Sequence, residues 1–282
     1  IQGIGAVLNL ILDPLLIFGC GPVPPLGVAG AALATVSGQL LGMTVGFFLV
    51  SGRKDLSLSP RRFRPSGDVI REIYRIGLPA IVMQSLATFM TLGLNKIMAL
   101  FSESAVFILG VYFKIQSFIF MPVFGLNNGL TPVVGYNYGA RSRGRIVALI
   151  RFALEIGVVI MAVGTLLLAL FPHRFLQLFH AESNVLATGV SALRMISSGF
   201  VFAGVSVILC AAFQAMGASM LSLAVSLSRQ LVLILPAALL LGHFSPRFMW
   251  LCFPIAELLS CLLALLFYRK VYREKLVPMS ER

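Results

Sequence analysis

Eight runs of mostly apolar residues follow one another along the chain, at Gly3 to Gly19, Leu26 to Val50, Gly77 to Phe101, Ala105 to Leu126, Val147 to Phe171, Leu186 to Phe213, Leu221 to Leu241 and Phe248 to Tyr268. Polar or Gly/Pro-rich breaks separate them. Each approaches the roughly 20 residues that a helix needs to cross the hydrocarbon layer. The runs are long and unbroken, unlike the alternating segments of about ten residues that build a membrane β-barrel. In lipid only a helix satisfies the backbone polar groups of such a run from within. The pattern therefore predicts an all-α membrane protein with eight transmembrane helices.

Composition removes the soluble alternative. Of 282 residues, 59% are hydrophobic and 11% charged, where an ordinary soluble domain has about a quarter charged. The formal charge of +12 raises nucleic acid as a partner, until the basic residues are sorted by loop. Arg53, Lys54, Arg61, Arg62, Arg64, Arg71 and Arg75 fall between the second and third runs, and Arg141, Arg143 and Arg145 between the fourth and fifth. Arg269, Lys270, Arg273 and Lys275 follow the last, and the intervening loops hold only Arg174 and Arg247. Alternation of basic-rich and basic-poor loops is the signature of a multi-pass protein of the cell membrane with both ends of the chain cytoplasmic. Topology explains the charge, and no nucleic acid is called for.

Cys20, Cys210, Cys252 and Cys261 lack metal-site spacing, and His173, His180 and His243 form no HExxH pattern, so all seven are expected to be structural and no metal is expected. The chain opens on Ile1, almost directly inside an apolar run, and is expected to be an N-terminally truncated fragment. The break from Ser51 to Ile76 contains Pro60 and Pro65 and then SGDVIREIYRI. Its Val69, Ile70, Ile73 and Ile76 share one helical face, which predicts an interfacial helix joining two bundles. A second basic amphipathic stretch, Arg141 to Arg151, is expected at the headgroups.

A shift of 222 positions pairs Pro14 with Pro236, Pro24 with Pro246, Ala34 with Ala256, and Leu40 and Leu41 with Leu262 and Leu263. The first hairpin thus resembles the last, as in transporters built from internal repeats. The expected order is the last two helices of one lobe at residues 1–50, a cytoplasmic linker at 51–76, a six-helix lobe at 77–268 and a basic cytoplasmic tail at 269–282.

NLILDPLLIFG from Asn9, VAGAALAT from Val28, KIQSFIFMPVFGLNNGLTPVVGYNYGAR from Lys114 and SRQLVLILP from Ser228 resemble the multidrug and toxic compound extrusion family. The likeness covers nearly the whole chain, and GYNYGAR is its most specific part. The resemblance implies a twelve-helix, two-lobed antiporter that exports amphipathic organic cations in exchange for protons or sodium. It needs no bound cofactor beyond the coupling ion, and its expected partners are the drug and the lipid bilayer, around a monomeric carrier. The present segments would correspond to the family's fifth to twelfth helices.

Asp13 is the sharpest position, because an ionisable group inside a membrane helix is costly and is kept for a pathway, a relay or a pair. Asn9 lies one turn earlier on the same face, and Thr35 on the returning helix lies at about the same depth, counting 1.5 Å per residue from the turn. The resemblance implies that Asn9, Asp13 and Thr35 form the cation- or proton-coupling site, together with an acid on the family's first helix. The alternative is that Asp13 pins the kink at Pro14.

Arg229 and Glu257 both fall near the middle of consecutive runs and are expected to pair, either to hold the last hairpin together or, with Lys114, as a second polar site in the C-terminal lobe. Some family members carry an acid where this chain has Ala87, so a sodium site of that type is not expected here. Met83, Gln84, Gln116, Phe120, Phe124 and Asn127 are the candidates for a substrate cavity, since Met and aromatic surfaces suit varied apolar ligands and amides orient them. Interhelical packing is the alternative for each. Lys96 and Arg194 are expected to snorkel, and Arg151 to pair with Glu155. Pro122, Gly125, Gly129 and Pro132 are expected to break the fourth helix.

The sequence thus points to multidrug efflux by cation antiport. A lipid-linked oligosaccharide flippase on the same architecture would need an Arg-lined cavity for a pyrophosphate, and an intramembrane enzyme a nucleophile with its base, of which no set is visible.

Overall fold

A computed structural model describes residues 2–19, 24–51, 66–179 and 183–279. Cys20, His180 and the linker residues Arg53, Lys54, Arg61, Arg62 and Arg64 lie outside these ranges. The described residues contain helices and no strand: α1 (Gln2–Phe18), α2 (Val28–Ser51), α3 (Gly67–Phe101), α4 (Glu103–Gly139), α5 (Arg143–Leu170), α6 (Pro172–Leu178), α7 (Ser183–Ser197), α8 (Phe200–Ala215), α9 (Ser219–Leu227), α10 (Ile234–Phe244) and α11 (Cys252–Val271). A π-helical stretch, Ser228–Leu233, joins α9 to α10, so that Ser219–Phe244 is one span. Among the described residues six helices are long and apolar enough to cross a membrane; α7 and α8, bent by 43° at their break, bring the number to seven when the pair is taken as one span, and α1 is a shorter apolar helix.

The chain forms two compact units, Ile1–Ser66 and Gly67–Arg282. In the first, α1 and α2 meet along a stripe of small residues. Gly30, Ala34, Gly38 and Gly42 are the buried residues of α2, spaced by four so that they line one face. Gly5 of α1 faces Gly38, where a Cβ on Gly5 would sit 2.6 Å from the Gly38 carbonyl oxygen. Small residues let two backbones approach this closely, which in lipid supplies the packing that hydrophobicity cannot.

The same stripe recurs in the second unit. Moved by the 222-residue repeat, these four positions become Cys252, Ala256, Ser260 and Ala264, all buried on α11. Shared small size, rather than shared identity, carries the repeat.

The core of the second unit is built around α8, whose Phe200, Ile208, Leu209 and Phe213 are almost fully buried between α4, α5 and α11. The break before α8 falls at Gly199, where a side chain would meet the Pro254 backbone at 2.9 Å. Thr165 of α5 donates from its hydroxyl to the Ser197 carbonyl at 2.9 Å, which meets the need for a partner that the interrupted helix creates. The sixth apolar run, Leu186 to Phe213, is therefore two helices.

Three expectations are corrected. The stretch from Gly67 to Ile76 is no separate interfacial helix but the first turns of α3, since neither Gly77 nor Pro79 interrupts it. The residues from Arg143 onward likewise belong to α5, and Ile146 and Ile150 are buried in the core. The fourth helix does not break: α4 runs over 37 residues with Pro122 and Pro132 inside it. A proline removes one backbone bond and can kink a helix, but without water to compete the remaining ladder persists.

The GYNYGAR segment ends α4 in a Schellman turn. Arg141 takes φ 54°, the left-handed conformation usually left to Gly. Ser142 N–H donates to the Asn137 carbonyl at 3.0 Å and Arg141 N–H to the Tyr138 carbonyl at 3.1 Å. The start of the expected tail is folded: α11 runs to Val271, and Tyr272–Leu276 continues it as a π-helical turn with Leu276 buried. There Lys275 donates to the Met216 carbonyl at 2.9 Å and lies over the Tyr138 ring, while Arg143 donates to the Tyr272 hydroxyl.

Replacing Gly38 by Leu should force α1 from α2 and destabilise the hairpin by about 1–3 kcal/mol, the usual effect of overpacking. Thermal unfolding in detergent measures it; an unchanged Tm would show that the stripe does not hold the pair together.

Candidate functional site

In the first unit, the close approach along the glycine stripe carries Thr35 to α1. The Asn9 amide nitrogen lies 3.5 Å from Asp13 Oδ1 and 3.4 Å from Thr35 Oγ1. Turning that amide over pairs it better: its nitrogen donates to Asp13 Oδ2 at 3.2 Å, and its oxygen accepts from the Thr35 backbone N–H at 3.1 Å. The turned form satisfies donor and acceptor together, which is the basis for assigning an amide. The Thr35 hydroxyl donates to its own helix, to the Ala31 carbonyl at 3.0 Å. Asn9 and Asp13 are half-buried and Thr35 is exposed. Asn9, Thr35 and Gly38 also line a shallow groove along the hairpin.

The second unit holds two adjoining cavities of about 690 and 230 Å³. Met83, Gln84, Phe124 and Asn127 line the larger, and Gln116, Phe120 and Phe124 the smaller. All six residues picked from the sequence thus face one or other space. Ala87, Arg229 and Gln230 border both, so the position where other family members were expected to carry an acid is a bare methyl at the junction.

Arg229 and Glu257 form the expected pair, Nη1 to Oε1 at 3.3 Å. The contact is single, and Glu257 Oε2 has no hydrogen-bond partner among the described residues. Lys114 is not part of it. Its side chain is exposed on α4, and its ammonium lies 5.5 Å from the centre of the Phe179 ring. The reason is helical phase: Ile115 on one side and Val111 and Tyr112 on the other turn inward, which aims Lys114 outward. Arg151 donates to Glu155 at 2.9 Å as expected, and Arg194 reaches the Ala169 carbonyl at 3.0 Å. Cys210, Cys252 and Cys261 are buried free thiols.

Sequence reasoning passed over Gln230, Gln214 and Ser222. Gln230 is buried beside Arg229 in the π-helical stretch, and Gln214 donates to the Ser222 hydroxyl at 3.2 Å. A signal was there: Ser228, Arg229 and Gln230 are three polar residues in succession inside an apolar run. π-helical insertions are frequent at functional sites.

Known proteins agree with this architecture. The family model described as MatE matches residues 79–240. The multidrug export protein MepA of Staphylococcus haemolyticus is 27% identical over 211 residues, covering 74% of this chain and 46% of its own length. An FAD transporter of Shewanella oneidensis is 28% identical over 267 residues, covering 92% and 58%. The chain therefore spans about half the length of these curated relatives. Among solved structures, an outward-facing multidrug resistance MATE family transporter of the MOP superfamily superposes with a TM-score of 0.85 at 25% identity, covering 95% of this chain and 60% of its own. The Vibrio cholerae MATE transporter VcmN in its bent form shares the fold, with a TM-score of 0.88 at 23% identity over 99% of this chain and 63% of its own. With more than half of its residues matched by the family model, this multi-pass helical membrane chain belongs to the MatE family.

Proposed function

We propose that the protein carrying this chain is a secondary exporter, not an enzyme, which moves amphipathic organic compounds out across the plasma membrane in exchange for a proton or sodium ion bound at Asn9, Asp13 and Thr35. One observation carries the reading: a carboxylate within a membrane helix lies in hydrogen-bonding reach of an amide that also contacts the next helix. Asn9 is the relay in this arrangement. A cation or proton on Asp13 removes the charge to which the Asn9 amide donates, and Asn9 in turn holds α2 through Thr35. Charge at one carboxyl thereby biases the packing of two helices, which suits alternation between inward-open and outward-open states.

Export rather than uptake is supported by the description of several relatives as multidrug export proteins. The basic residues Arg269, Lys270, Arg273 and Lys275 support a cytoplasmic C-terminus. The cavities suit a compound with an apolar or aromatic body, given Met83, Phe120 and Phe124 on their walls. Organic cations, the substrates that the resemblance implies, would rest here on aromatic faces and amides, because the acid on these walls, Glu257, is already held by Arg229. A single guanidinium supports small-molecule export over flipping of a pyrophosphate-linked sugar, which calls for several.

Asp13→Asn in the transporter carrying this chain should reduce ion-coupled dye efflux to background while membrane expression is retained; undiminished efflux would contradict the coupling role. Thr35→Val should be mild, within about threefold in the ion concentration for half-maximal efflux, since an interhelical side-chain bond is worth about 0.6 kcal/mol and the Thr35 backbone still holds Asn9. Asn9→Leu should abolish coupling. Equal losses in the two variants would mean that the Thr35 hydroxyl, and not its backbone N–H, is what this residue contributes to the site.

A further inference from the structure

The two cavities of the second unit meet at one charged edge. Arg229 borders both, and its side chain is 21% exposed, against 13% for Glu257. A guanidinium has five N–H donors. One donates to Glu257, and the others have no partner among the described residues. The free carboxylate oxygen of Glu257, by contrast, is sealed from the cavity. In the larger cavity, which Arg229 lines and Glu257 does not, an entering group meets the donor end of the ion pair. The larger cavity contains no acid at all among its lining residues, and Gln84 and Gln230 add amide groups that make no hydrogen bond among the described residues.

Donors of a charged group that face a cavity give an anionic acceptor that reaches them a charge-assisted bond. We infer that the ligand of these cavities carries an anionic group, a carboxylate or a phosphate, which docks on the free edge of the Arg229 guanidinium while its apolar body lies over Met83, Phe120 and Phe124. Glu257 keeps its single bond to the guanidinium, from Nη1 to Oε1. Gln230, the next residue in the same π-helical stretch, also borders both spaces and adds an amide beside the guanidinium. The inference rests on the export reading only in taking that ligand to be a transported compound; in place of the organic cations that the resemblance implies, it assigns amphiphiles that bear an acid, with or without a positive charge elsewhere.

Matched probes test it on the reconstituted transporter carrying this chain, in nanodiscs. Dansyl-phenylalanine against its methyl ester is the carboxylate arm, and FMN against riboflavin the phosphate arm, both read by fluorescence. The acid member of at least one pair should bind about tenfold or more tightly than its uncharged partner, one charge-assisted bond's worth. Selectivity in one pair alone identifies which anion the site prefers. Equal binding, or preference for the uncharged member in both pairs, would overturn the assignment.

Since Arg229→Gln alone strands a buried carboxylate, the informative variant is Arg229→Gln with Glu257→Gln. It should bind the ester or riboflavin as the unaltered protein does, which shows that it is folded, and lose the preference for the acid. A preference that survives in this variant would place the anion elsewhere. Acid-selective binding without ion-dependent efflux would leave the site standing and sink the export reading; ion-dependent efflux of cations without acid selectivity would do the reverse.

Discussion

Close approach of two helix backbones is the constraint on which the first unit depends. Lipid gives apolar helices no hydrophobic reason to associate, so contact area and interhelical hydrogen bonds must supply it. Gly30, Ala34, Gly38 and Gly42 remove the side chains that would hold α2 away from α1. Only at that separation does a short Asn side chain touch both Asp13 on its own helix and Thr35 on the next. The polar cluster and the small-residue stripe are thus one device, the second being the condition for the first.

The second unit repeats the device with different chemistry. Its stripe of Cys252, Ala256, Ser260 and Ala264 seats α11 in the core, and the residue after Ala256, equivalent to Thr35 after Ala34, is Glu257. The partner is then no amide but a guanidinium, reached from the π-helical turn. A carboxylate in such a place demands a charged or hydrogen-bonded partner. One half of the repeat therefore presents an acid held by neutral groups, and the other an acid held by a base. In the proposed mechanism the first takes up the coupling ion, and the second leaves donors facing a cavity.

Much of this was legible in the sequence because membrane helices obey few rules. Lipid permits few backbone solutions, so the apolar runs located the helices directly, and depth counting from the turns was enough to bring Asp13 to Thr35 and Arg229 to Glu257. Errors arose where the backbone had a choice that composition does not record. The prolines of α4 read as breaks because they would be so in water, and the amphipathic stretch after Arg141 reads as an element ahead of the fifth helix although it opens α5 and packs Ile146 and Ile150 into the core. Lys114 was placed by depth alone, whereas helical phase turns it toward Phe179. The bend at Gly199 and the π-helical stretch depend on close contacts with α11 that no local pattern announces.

If Asp13 holds the coupling ion, its carboxyl changes charge or coordination as the transporter works. Infrared difference spectroscopy of the reconstituted protein, coupling ion added minus absent, reads carboxyl groups directly. A change in the carboxyl stretching region that disappears in Asp13→Asn is the result expected. A difference spectrum identical in the two proteins would contradict the account.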